Sequence, residues 1–193
     1  PIGDGREVQR RIRAEVQEEF RRRGVLYVRN YGDGMGLSWR TVFQTDVRAD
    51  VESYCAGVGM ECVWKPGNRL RTRQRGPAFL RHPLTGESLW FNHATFFNAH
   101  SLPASVRSEL LEQFAPEDLP QNTFFGDGAA IPADVIEHLQ DAYLATLQEF
   151  AWQPGDVLWL DNMLTVHARN SFTGPRRILT AMARAQRSAD LTI

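Results

Sequence analysis

The chain has 193 residues, enough for one domain, 1–193, with a sizeable core. Hydrophobic residues make up 42% and charged residues 23%, the balance of an ordinary soluble globular protein. A formal net charge of −1 supplies no general attraction for nucleic acid or for an anionic membrane, so neither is an expected partner.

Asp4 is placed to cap a helix, with Glu7 three residues on. Val8, Ile12, Val16 and Phe20 recur every four residues, which predicts an amphipathic helix over 5–23 that Gly24 stops. Residues 25–30 (VLYVRN) read as a strand and 31–38 as a glycine-rich loop without the spacing or lysine of a phosphate loop. Ser38 opens a short helix, and Asp46 a second running to about Val58. Residues 61–83 read as a hairpin turning at KPGN, with a further strand from Pro77, and 87–93 as another strand. A helix is expected from Ser101 or Pro103 to Phe114. Another starts at Pro132, with Val135, Leu139, Ala142 and Leu147 roughly on one face. Residues 152–160 predict a turn and then a strand, 163–167 are short and apolar, and 176–185 alternate as a last strand.

Short strands with helices between them, and no regular βαβ alternation, predict an antiparallel α+β or sandwich architecture. Nothing reads as a repeat, a linker, a membrane span of about 18 apolar residues or a secretory leader. Cys55 and Cys62 are too few for a disulfide framework or a zinc knuckle and fit a reducing cytoplasm. The chain opens on Pro1 instead of methionine, so further residues are expected upstream of it.

The segment LDNMLTVHARNSFTGPRR, 160–177, raises the chemical question. His167 ends an apolar run, where a structural histidine is the plain alternative to a metal ligand or a base. If 163–167 and 176–183 pair antiparallel, the imidazole and one guanidinium face one cavity. Arg176 and Arg177 then point to opposite sides of their strand, so only one faces inward. An inward arginine needs an anion, and its planar fork suits a carboxylate. That anion is either a small ligand or a structural carboxylate such as Asp156 or Asp161.

GDVLWLDNMLTVHARNSFTGPRRILTAMA, 155–183, resembles the C-terminal signature of the taurine dioxygenase-like iron(II)/2-oxoglutarate oxygenases. A second segment, RHPLTGESLWFNHATFF, 81–97, is similar to the family's His-Pro-x-Thr-Gly strand pair ending in Asn. The nearest branch in character is the syringomycin-type amino-acid hydroxylases of nonribosomal peptide pathways. The resemblance implies a double-stranded β-helix, or jelly roll, mainly β with inserted and flanking helices and incomplete in this chain. It implies that His167 is the distal histidine of a two-histidine, one-carboxylate triad for Fe(II), leaving sites open for 2-oxoglutarate and O2. It implies that Arg177 clamps the distal carboxylate of 2-oxoglutarate and that Arg176 faces out. The implied reaction is hydroxylation of an unactivated carbon in an amino-acid-like small molecule, free or tethered to a peptidyl carrier protein.

One departure stands out. The family's other two ligands form a His-x-Asp or His-x-Glu motif, and no remaining histidine fits it. His82 precedes Pro-Leu, His93 Ala-Thr, His100 Ser-Leu and His138 Leu-Gln. In the family that motif lies upstream of a Gly-Gly-x-Thr segment, and PIGDGREVQRRI is similar to the stretch immediately after that threonine. Two accounts stay open. Either the motif precedes Pro1, or this is a degenerate, non-catalytic member that binds a small acid.

Arg69, Arg71, Arg73 and Arg75 fall on one strand face. They read either as a solvated edge strand or as a contact for a substrate carboxylate, with Arg73 the candidate. A further alternative is an arginine-rich interaction module for an acidic partner. Asn92 and Phe96 are candidates for the substrate cavity, with core packing an equal account of Phe96. His93 is left out of the site because strand alternation points it away from Asn92.

Overall fold

The computed structural model describes residues 1–32, 36–175, 177–187 and 190–192. A short strand β1, Ile2–Asp4, leads into helix α1, Gly5–Arg11, whose first turn is capped by the Asp4 carboxylate accepting from the Arg6 amide at 2.8 Å. The expected single helix is in fact two. Ile12 and Arg13 take extended backbone angles, and α2 spans Ala14–Arg23. The Arg13 amide freed at the break donates to His138 Nε2 at 3.0 Å, and Gln17 Nε2 donates to the carbonyls of Gln9 and Ile12. The apolar face survives the bend, since Val8, Ile12, Val16 and Phe20 are all buried. Gly24 ends α2 with φ +67, and a Cβ there would lie 2.7 Å from the Gly76 carbonyl oxygen.

The main sheet is antiparallel and runs in the order β3-β4-β2-β7, where β2 is Val25–Tyr31, β3 Glu61–Lys65, β4 Arg69–Gly76 and β7 Gln121–Phe125. The turn between β3 and β4 falls at Pro66–Asn68, as KPGN predicts. A second pair joins β5, Phe79–Arg81, to β6, Ser88–Trp90, and a third joins β1 to β8, Thr165–His167. The helices α3, Trp39–Phe43, α4, Arg48–Gly57, α5, Ala104–Gln113, and α6, Ala133–Leu144, lie close to their expected places. Val47, not Asp46, precedes α4, and α6 ends before Leu147.

Two apolar cores hold these parts together. One joins the buried faces of α1, α2 and α6 to Val25, Phe79, Trp90, Ala94 and Phe125. Phe20 is its centre, with its ring 5.0 Å from both Trp90 and Phe125. The other gathers Tyr31, Trp39, Val51, Cys55 and Leu70.

Several expectations are corrected. The sequence pattern does not predict β7, because its polar residues hide it. Asn122 and Thr123 are buried and hydrogen-bonded to the 94–99 stretch. After the turn at 154–155, residues 156–160 form no strand, and none forms over 177–187; Arg176 lies outside the described residues. A strand needs a neighbour to take its backbone hydrogen bonds, and no described segment runs beside these two. The architecture is therefore mixed helices and antiparallel sheets of four, two and two strands, with no closed barrel among the described residues.

Candidate metal and co-substrate site

His167 is the last residue of β8 and is exposed. Its strand is fixed from three sides. β1 pairs with it antiparallel, Ile2 opposite His167 and Asp4 opposite Thr165. Val166 packs on the core containing Phe20. The turn before β8 is organised by Asp161, whose Oδ1 accepts from the amides of Met163 at 2.9 Å and Leu164 at 3.3 Å. Gly3 permits the close approach of β1, since a Cβ on it would stand 2.9 Å from the Thr146 carbonyl oxygen and 3.0 Å from Val166 Cγ2.

The other oxygen of Asp161 lies 3.0 Å from Nε2 of His82, a residue only 3% exposed. Burial by itself would raise the Asp161 carboxyl. The hydrogen bonds from His82 and from the two turn amides outweigh it and hold the carboxyl below its ordinary value.

The structure adds His93 to the neighbourhood of His167. Its backbone amide donates to the Tyr27 hydroxyl at 3.1 Å, and its ring stands 5.6 Å from Phe97 and 6.3 Å from Phe96. Phe97 in turn meets Tyr27 edge-on at 6.4 Å. Burial against these rings lowers the His93 pKa, and the nearby charge of His167 lowers it further. Strand alternation does not apply to His93, because β6 stops at Trp90 and residues 94–97 form a turn.

The remaining predicted residues divide. Phe96 is 73% exposed beside Phe97, so core packing does not account for it. Asn92 shapes the loop. Its Nδ2 donates to the Ala78 carbonyl at 3.0 Å and its Oδ1 accepts from the Ala94 amide at 2.9 Å. Arg73 is set apart from both. It lies opposite Val28 in the register, hence on the sheet face away from Tyr27, and its closest charge partner is Glu61 at 3.8 Å. β4 is an inner strand, not an edge. Arg71 is buried against Asn30, Asp118 and Glu117, and Arg75 donates to the Gly126 carbonyl, so these two serve the fold.

Arg177 lies exposed on a stretch without regular structure. The pairing expected to bring it to His167 is not formed: among the described residues β8 pairs with β1 alone. Among the described residues no group of three His, Cys, Asp or Glu is arranged to hold a metal ion. Two clefts of about 360 and 400 Å³ open elsewhere, one between Arg6, Gln17 and Glu87 and one beside Phe43 and Tyr54. Neither touches His167, and neither adds a group to its site. No described helix is long and apolar enough to cross a membrane.

The β5–β6 hairpin is thus tied through His82 and Asp161 to the turn that precedes the exposed His167 imidazole. Residues 1–183 match the family described as "Taurine catabolism dioxygenase TauD, TfdA family", and the chain belongs to that family. It is 38% identical over 182 residues to the dapdiamide synthesis protein DdaC of Enterobacter agglomerans, covering 94% of this chain and 55% of that protein. It is 25% identical over 177 residues to the clavaminate synthase-like protein At3g21360 of Arabidopsis thaliana, covering 88% of this chain and 50% of the relative. The chain thus spans about half the length of the curated relatives it matches. Members of this family are non-haem dioxygenases that use Fe(II), 2-oxoglutarate and O2.

Proposed function

We propose that the protein containing this chain is an iron(II)/2-oxoglutarate-dependent dioxygenase of secondary metabolism. Its reaction is hydroxylation of an unactivated carbon of an amino acid or a carrier-tethered aminoacyl group. The observation that carries this reading is the family match over 1–183, which includes His167 and Arg177. The similarity to a dapdiamide synthesis protein supports the natural-product setting.

The donor chemistry fits the metal only in part. His167 offers one exposed imidazole on a strand anchored by β1 and the Asp161 turn, while the described residues assemble no three-donor set. The implied two-histidine, one-carboxylate set needs two ligands besides His167. When bound, iron supplies the oxidising chemistry. The chain's own share is to present the imidazole, bind the co-substrate and shape the substrate wall. Arg177 carries a planar fork suited to the distal carboxylate of 2-oxoglutarate. Phe96, Phe97 and Tyr27 offer an aromatic wall, with the His93 imidazole beside it available to a polar group of the substrate. A jelly roll remains the fold we expect of the whole protein.

The test is 2-oxoglutarate turnover followed as succinate release with Fe(II), in the protein that carries these residues. His167→Ala should abolish it, and Arg177→Lys should weaken 2-oxoglutarate binding, since a point charge cannot replace a bidentate fork. Succinate release untouched by His167→Ala defeats the reading. One rival is a non-catalytic member of the family that binds a small acid. Under that rival, 2-oxoglutarate binding is indifferent to Fe(II).

A further inference from the structure

The two segments that resemble the family lie on different parts of the fold and meet at one hydrogen bond. His82 sits at the start of the turn joining β5 to β6, and Asp161 opens the turn that leads into β8. The proton on His82 can be placed from its partners. Nδ1 accepts from the amides of Leu84 at 3.3 Å and Thr85 at 3.0 Å, so it carries no proton. Nε2 is therefore the protonated nitrogen and donates to Asp161 Oδ2 at 3.0 Å.

The other Asp161 acceptors serve the next few residues. Oδ1 takes the Met163 and Leu164 amides, and its backbone carbonyl takes the Thr165 amide at 2.9 Å. The Leu164 carbonyl then accepts from Gly5 at 2.7 Å, and the Pro1 carbonyl accepts from Ala168 at 3.1 Å, on either side of His167. A rotation of the Asp161 carboxylate would release two turn amides at once. What prevents that rotation is the one donor on its far side, a ring that is almost wholly buried and locked by two amides of its own.

We infer that His82 is a positioning residue: through Asp161 it sets the turn from which His167 is presented. It does not touch His167. The inference rests on reading His167 as the metal ligand, and its local part can be tested without that reading. Partners hydrogen-bonded to a metal-bound histidine fix its ring directly, whereas His82 acts one step further out, on the turn before the strand.

Amide hydrogen exchange on the 193-residue chain decides it. Glutamine at position 82 keeps a donor near the Nε2 position and lacks the Nδ1 acceptor. Asparagine keeps an acceptor near Nδ1 and does not reach Asp161. We expect His82→Asn to lower protection of Met163, Leu164, Thr165, Gly5 and Ala168 about tenfold or more, with β2 and β4 unchanged. His82→Gln should retain it. If His82 only braces its own turn, the ranking reverses, with Asn restoring and Gln failing, and the inference is overturned. Should a position-82 variant not fold, Asp161→Ala takes its place. It should expose the same five amides and spare Leu84 and Thr85, and protection unchanged at Gly5 and Ala168 overturns the inference. Fe(II)-dependent 2-oxoglutarate affinity is the second readout, expected to fall about 10–100-fold in His82→Asn and not in His82→Gln. Absence of metal-dependent binding in the unaltered protein counts against the oxygenase reading, while the exchange pattern still decides the positioning role.

Discussion

His93 touches solvent on one side and the Phe97 ring on the other, and it lies within electrostatic reach of His167. Its neutral form is favoured first because burial penalises the charged ring and second because His167 repels it. Its titration, followed by NMR at Cε1, should therefore have a midpoint below its ordinary value of 6.5. Phe97→Ala should raise that midpoint most, and His167→Ala by less. The unfolded chain takes up this proton near 6.5 and the folded chain only at lower pH. Stability then falls as pH drops through 6.5 and levels off below the native midpoint, with no effect above. A midpoint at or above 6.5 is incompatible with this packing. The placement of His93 could not be read from the sequence, because strand alternation says nothing once a strand has ended. His167 was legible, since a polar turn followed by an apolar run ending in histidine places that side chain at the end of a strand whatever pairs with it.

At the scale of elements, periodicity located most helices and most strands, and long-range partners decided the rest. The four-residue apolar spacing over 8–20 predicted one buried face correctly and one continuous helix incorrectly. The interruption at Ile12 and Arg13 is met by His138, which lies on α6, and no local rule can anticipate a partner 125 residues away. The same holds for β7, whose buried Asn122 and Thr123 are satisfied by the 94–99 stretch. It holds for β8, which takes β1 as its partner in place of the segment after it. His138→Ala removes the acceptor for the Arg13 amide at a partly exposed site. It should cost about 0.5–1.5 kcal/mol, read as a lower urea midpoint with unchanged slope. Phe20→Ala, which empties the centre of the larger core, should cost about 3–5 kcal/mol. Equal losses from the two variants would mean that the helix break, not the apolar face, holds α1 and α2 in place.

Across the molecule, apolar surface is divided unevenly. The sheet and helices from residue 2 to 144 bury two cores, whereas the stretch from 150 to 182 leaves Phe150, Trp152, Val157, Trp159, Leu179 and Met182 exposed. Such a stretch has the composition of core strands without the neighbours that would make them strands, which is why a pattern reading predicts strands there. The five tryptophans measure this division directly. Trp39 and Trp90 are 1% and 4% exposed, while Trp152 and Trp159 are 51% and 87% exposed. Acrylamide or iodide should therefore quench a distinct, red-shifted part of the emission, and Trp159→Phe should remove the larger share of it. The remaining emission should stay blue-shifted and shielded until the cores unfold. If Trp159→Phe leaves the quenchable fraction unchanged, the 150–182 stretch is covered in solution, and its apolar residues are buried in packing beyond the two cores.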